Sequence, residues 1–276
     1  MDDGVYTLVV QASPFQNDGS PPAKESLTLE VELDSTRLIH PLTLSSGKSG
    51  LLYAPIPALL PPGSFQIEGS LLAGSPPESG GAWKSLPFAA AFRFSPLDRL
   101  EVSAALNVIP LFAENVRAGI AGGAKWVFMK SGEGDLPLGA AAGAVFSWTG
   151  KTGLTPFGMA SGMEFYFPFN LALGNIFSCI LTPAVLWTGD EGFPWEPAPR
   201  LAVSGGFMAQ MTYVGAGLSL RQEFDFTREI RPRLLIGAEV KLFPPPSSFV
   251  FSLMGGIWIR DGSLGGFGGI GMGMIY

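Results

Sequence analysis

The feature that most constrains this chain is a period of two in its apolar residues, repeated segment after segment. Ala118, Ile120, Gly122, Ala124, Trp126 and Phe128 share one parity, and Arg117, Gly119, Ala121, Gly123 and Lys125 the other. Leu218, Leu220, Phe224 and Phe226 alternate with Ser219, Arg221, Glu223 and Asp225, with Gln222 as the exception. Leu234, Ile236, Ala238, Val240 and Leu242 oppose Leu235, Gly237, Glu239 and Lys241, and Phe88, Ala90, Phe92 and Phe94 oppose Ala89, Ala91, Arg93 and Ser95. Only an extended strand sends successive side chains to opposite sides; a helix would scatter these charges around its circumference.

What the two faces meet follows from which residues they carry. Charged residues make up 14% of the chain, against about 25% in ordinary soluble domains, while 47% are hydrophobic. The outward face of a soluble β-sandwich would be Lys, Glu, Thr and Ser. Here the less apolar parity is mostly Gly, Ala and Ser with isolated charges, which suits a crowded interior, and the other parity suits hydrocarbon. Alternating segments of about ten residues, separated by Gly, Pro, Asn and Asp, are the pattern of a transmembrane antiparallel β-barrel. With 37 Gly and 24 Pro, a helix-rich core would be interrupted nearly everywhere.

Two rivals remain at this level. The uncharged runs 165–189 and 201–220 are long enough for transmembrane helices of about 20 residues, which would make an α-helical inner-membrane protein. Pro168, Pro183, "PFN" and Gly174-Asn175 interrupt the first run, and "SGG" and "VGAG" the second. The other rival is a soluble, secreted β-rich binding protein.

The chain stops on "GGIGMGMIY", where Ile270, Met272, Met274 and Tyr276 form one apolar stripe ending in an aromatic ring. This stripe resembles the C-terminal assembly signal of bacterial outer-membrane β-barrel proteins. The resemblance implies an outer-membrane location, with membrane lipid and the outer-membrane assembly machinery as partners. As a pattern it extends over residues 64–276.

Counting strands gives about twelve. The candidates lie near 64–74, 86–95, 99–109, 116–130, 136–148, 156–167, 171–187, 200–211, 214–226, 232–243, 248–260 and 264–276. Short turns mark the periplasmic end of such barrels and longer loops the outer end. With Tyr276 at the periplasmic end, "SPLDR" at 95–99, "PFN" at 168–170 and "PPPS" at 244–247 are periplasmic turns, and "GDEGFPWEP" at 189–197 is external. The 211–214 segment reads as a turn or a bulge, and its loss as a turn would reduce the count to ten. "SGEGD" at 131–135 is long for a periplasmic turn.

The fold expected is therefore all-β: an up-and-down barrel over 64–276, preceded by a small β-sandwich-like periplasmic module, or the remnant of one, over 1–63. "GVYTLVVQA" and "ESLTLEVEL" read as strands, and "NDGSPP" as a turn. "LLPPGSFQIEG" resembles the Pro-Pro-Gly-aromatic turn of immunoglobulin-like and PEGA-type β-modules; the segment reads as a linker, with a ligand-binding module as the alternative, and a periplasmic protein is a candidate partner. The acidic start "MDDGVYTLVV" lacks the basic region and long apolar core of a secretory signal, so an exported form is expected to carry a leader upstream.

The residues also bound the chemistry. A net charge of −6 without a basic patch argues against nucleic acid. One cysteine, Cys179, cannot form an intramolecular disulfide, and one histidine, His40, leaves the barrel without a histidine base. "GFGGIG" at 266–271 fits a phosphate-loop spacing, but too few residues follow to build the helix such a loop must open. No enzyme activity, cofactor or metal is expected. Parity assigns Arg93, Glu101, Arg117, Lys125, Glu164, Arg200, Arg221, Glu223, Asp225, Arg233, Glu239 and Lys241 to the lumen. Mixed signs there suit an ion-pair network better than a strongly charge-selective pore. Phe94, Trp126, Phe128, Trp148, Phe165, Phe167 and Trp187 fall where interfacial aromatic girdles belong.

Overall fold

The computed structural model describes residues 4–12, 25–33, 42–43, 48–75, 88–109, 117–132, 136–149, 162–174, 176–188, 198–211, 214–225, 233–243, 248–260 and 263–276. The chain divides into two compact units, Met1–Ile39 and His40–Tyr276. In the first, β1 (Gly4–Ala12) and β2 (Glu25–Leu33) form an antiparallel ladder running from Gly4 opposite Leu33 to Ala12 opposite Glu25. His40 and the "NDGSPP" stretch lie outside the described residues.

The second unit begins with two short strands, β3 (Leu42–Thr43) and β4 (Ser49–Gly50), which pair only with each other. The ring strands follow as β5 (Phe65–Ser75), β6 (Phe88–Leu97), β7 (Leu100–Ile109), β8 (Arg117–Met129), β9 (Leu138–Thr149), β10 (Gly162–Tyr166) and β11 (Phe169–Leu173). The ring is completed by β12 (Phe177–Thr188), β13 (Ala198–Gln210), β14 (Val214–Asp225), β15 (Arg233–Leu242), β16 (Phe249–Arg260) and β17 (Ser263–Ile275). Neighbours in sequence pair antiparallel, and β17 closes on β5 from Gly266 opposite Ser75 to Ile275 opposite Gln66. Because β10 and β11 act as one stave, the ring is a closed twelve-stranded barrel. Closure satisfies every edge, which is what lets a sheet stand in hydrocarbon without unpaired backbone groups.

The expected "PFN" turn is corrected by this geometry. Tyr166 stands opposite Ala184 and Phe169 opposite Leu181, so the register continues through Phe167 and Pro168 without a shift. The Pro168 carbonyl still accepts from the Ala141 N–H at 3.0 Å, and the Phe167 N–H donates to the Pro183 carbonyl at 3.0 Å. Pro168 lacks a donor, so it breaks the ladder locally without turning the chain. The reversal comes at 174–176, where Gly174 takes a φ of +68° that L side chains resist. Residues 169–173 therefore belong to the preceding stave, and the count of twelve is unaffected.

Other reversals match the expectation. Leu97 pairs with Leu100 across Asp98 and Arg99, and the Met211 N–H donates to the Val214 carbonyl at 2.8 Å where β13 gives way to its antiparallel partner β14, so the chain reverses there as two separate strands. The segments 244–247 and 189–197 lie outside the described residues. Strands also replace helices in both long uncharged runs, which overturns the helical alternative there; no helix among the described residues is long and apolar enough to cross a membrane.

Parity sets the two faces. Leu218 is 61% exposed and its neighbour Ser219 4%, and Phe92 is 39% exposed where Arg93 is fully buried. Ile120, Trp126, Phe128, Trp148, Phe165 and Phe167 face outward and exposed, and Phe165 meets Trp187 edge-on at 5.6 Å. Within the C-terminal stripe Ile270, Met272 and Tyr276 are exposed and Met274 is half-buried. Tyr276 stacks on Phe65 at 4.9 Å across the closing seam.

Candidate functional site in the barrel interior

The inward face of the ring carries two charged clusters. The first joins β5, β6, β7 and β8. Arg93 donates through Nη1 to Glu101 Oε2 at 3.2 Å and through Nε to Gln66 Oε1 at 2.7 Å, while Lys125 reaches Glu101 Oε1 at 3.1 Å. The second reaches from β10 to β14 and β15. Arg221 donates through Nη1 and Nη2 to both oxygens of Glu164 at 3.0 and 3.1 Å, and through Nε to Glu223 at 2.8 Å. Arg233 lies 3.6 Å from Glu223, and Lys241 pairs with Glu239 on its own strand at 3.2 Å. Removal from water is costly for each of these groups, and mutual pairing offsets that cost.

Nine of the twelve residues assigned to the interior by parity are thus brought into these pairs. Arg200 is half-buried on the same inward parity, with Asp225 opposite it in register. The side chains of Arg117 and Asp225 lie outside the described part. Outside the spanning strands, Lys130 donates to Asp98 between neighbouring turns, and this hydrogen bond holds the Asp98 carboxyl below its usual range.

Parity reasoning missed what fills the space between these walls. Residues 48–60, expected to belong to a separate module ending at 63, pack inside the ring, with Leu51, Leu52, Tyr53, Ala54, Ile56 and Leu60 all buried. The Ile56 N–H donates to the Ser49 carbonyl at 3.1 Å and the Leu51 N–H to the Ala54 carbonyl at 2.9 Å, so residues 49–56 form a tight hairpin with Leu52 and Tyr53 at its tip. The unit boundary accordingly falls before residue 40. The chain then leaves through the turn at Pro61–Gly63, where the Gly63 N–H donates to the Ser95 carbonyl at 2.7 Å, and enters β5.

Each wall grips this inner segment. Lys48 pairs with Glu164 at 2.7 Å. Ser49 donates to Glu101, and Lys125 donates to Ser49 and to the carbonyls of Ile56 and Ala58 at 3.1 and 2.8 Å. Thr182 donates to the Pro55 carbonyl at 2.8 Å, and the Tyr53 N–H donates to Ser219 Oγ at 3.1 Å. Beneath the tip, inward glycines on three adjacent strands leave the room it needs. A Cβ on Gly206 or Gly217 would strike Leu51, and one on Gly237 would strike Leu52 and Tyr53. Leu52 and Tyr53 also join Leu72, Ala89, Leu235, Met254, Trp258 and Phe267 in an apolar cluster.

No protein-family model matches the sequence, and no curated protein matches it. Among solved structures, the chain is similar to the KdgM porin, with 8% identity, a TM-score of 0.52, and 76% of this chain and 98% of that one covered. A KdgM porin in complex with disordered oligogalacturonate is similar at 7% identity and a TM-score of 0.50, again over 76% and 98% of the two chains. The COG4313 outer membrane channel from Pseudomonas putida F1 is similar at 10% identity and a TM-score of 0.53, covering 80% of this chain and 98% of that one. At such identity the likeness is one of fold: the chain has the closed antiparallel β-barrel architecture of outer-membrane channel proteins.

Proposed function

We propose that the protein is an outer-membrane β-barrel forming a narrow solute channel, held shut at rest by its own residues 48–60. The observation that carries this reading is the division of solvents around the ring. Apolar side chains such as Leu218, Leu253 and Ile270 face outward while Arg93, Lys125, Glu101 and Arg221 are buried and paired within. The similarity to a porin and an outer-membrane channel supports conduction over a bare anchoring role. Short connections at 98–99, 174–176 and 211–213, on the side of Tyr276, support a periplasmic placement of that end. The N-terminal unit is then assigned to the periplasm, where a protein partner would meet it.

Planar-bilayer recording tests the reading. The wild-type protein should show small or no conductance, and a variant with residues 48–58 replaced by a Gly-Ser linker should open in discrete steps. Large stable openings of the wild type would refute the resting closure. Silence from a folded linker variant would refute conduction and favour an anchoring role in the envelope.

A further inference from the structure

We propose that the barrel interior is a binding seat for an apolar β-hairpin tip, and that its occupant, residues 48–58, is exchangeable for a peptide of the same chemistry supplied from outside the chain. The proposal deepens the channel reading by naming what the lumen takes. It is measured as binding rather than current, so the two can fail separately.

The wall recognises the tip largely through its backbone. Thr182 reads the Pro55 carbonyl, Lys125 the carbonyls of Ile56 and Ala58, and Ser219 the Tyr53 N–H. Such contacts tolerate sequence change in the occupant. Selectivity comes from shape: Gly206, Gly217 and Gly237 form a floor that admits two consecutive aliphatic side chains, with Trp258 and Phe267, stacked at 5.3 Å, beside them. A cation one residue before the hairpin, as Lys48 is here, finds Glu164.

Exchange is feasible because the barrel is complete without this segment. Ring strands hydrogen-bond to one another, whereas β4 pairs only with β3 and Gly50 bridges to Pro55 within the segment itself. Wall charges keep partners when it leaves: Glu164 retains Arg221, and Lys125 and Arg93 retain Glu101. Among the described residues none of the wall charges that touch the segment is stranded, and stranded charge is the usual reason an inserted element cannot be withdrawn. The tethered tip acts at an effective concentration on the order of millimolar, so an added peptide competes poorly until the tether is loosened.

The test uses the barrel with residues 48–58 replaced by a Gly-Ser linker, refolded in detergent, and a fluorescent cyclic peptide of residues 48–58, cyclised to hold the turn and limit ordering cost. Anisotropy should show saturable binding, weakened about tenfold or more when the leucine at position 51 of the peptide is serine, and lost when the barrel also carries Gly217→Val. The intact chain should bind weakly, and a Leu51→Ser, Leu52→Ser variant of it more strongly. Equal binding of a scrambled cyclic peptide would overturn the proposal, as would no binding to a folded linker variant. Failure of the linker variant to form a barrel while the double-serine variant folds would also overturn it, because the segment would then be obligatory core.

Discussion

Arg221 on β14 grips both carboxylate oxygens of Glu164 on β10 although β12 and β13 stand between their strands. A fork of this kind is possible only because the sheet curls until side chains several strands apart meet inside. It joins two stretches of wall directly, and Lys48 of the inner segment completes it.

Removing one member of that fork should therefore cost more than removing the charges together. Glu164→Gln is expected to destabilise the barrel by about 3 kcal/mol, since breaking a buried pair leaves uncompensated charge, here on Lys48, which pairs with Glu164, while Arg221 keeps Glu223. Adding Lys48→Met, which removes the stranded charge, should recover part of the loss. Urea unfolding in detergent reads both, and additive losses would contradict the coupling.

Tyr166 lies over Gly143 on the adjacent strand, so a Cβ there would strike its ring. Gly143→Val should cost about 1–3 kcal/mol through overpacking. In a Tyr166→Ala background the same substitution should cost much less, because the obstructing ring is gone. Thermal unfolding of the four proteins in the cycle checks this.

Leu253, near the middle of β16, is 62% exposed on the outward face. Leu253→Arg should destabilise the inserted barrel by roughly 2–4 kcal/mol if that position meets the bilayer midplane. Leu264→Arg, at the end of β17 far from Tyr276, should cost about 0–1 kcal/mol as an interfacial site does. Unfolding in lipid vesicles discriminates the two, and equal small losses would mean the face meets water.

Tyr276 exchanges backbone hydrogen bonds with Phe65, each 2.9 Å long, in addition to the ring stack. Tyr276→Ala should cost about 1 kcal/mol in the refolded protein, the worth of an aromatic pair. If the C-terminal stripe also serves as an assembly signal, insertion in cells should fall far more than that loss explains. Parallel measurement of refolded stability and outer-membrane yield separates the two roles.

Alternation of side chains is a local property, and it was enough to determine the outward and inward faces and the interior position of residues such as Arg93, Lys125, Arg221 and Glu239, while the count of about twelve staves also drew on turn lengths and stood between ten and twelve until the pairing of the closed ring settled it. Lipid and lumen act on each strand independently, so the pattern needs no knowledge of neighbours. Three further things were decided only by the tertiary structure. Pro168 reads as a turn until the unbroken register of β9 and β12 on either side shows the strand passing through it. Arg221 finds Glu164 only once curvature brings β10 and β14 together. Finally, "SGLLYAPIPALL" carries apolar residues and turn formers that would suit the core of any small module. It becomes the barrel's filling because a closed ring with glycine at 206, 217 and 237 creates a space that no single strand encodes.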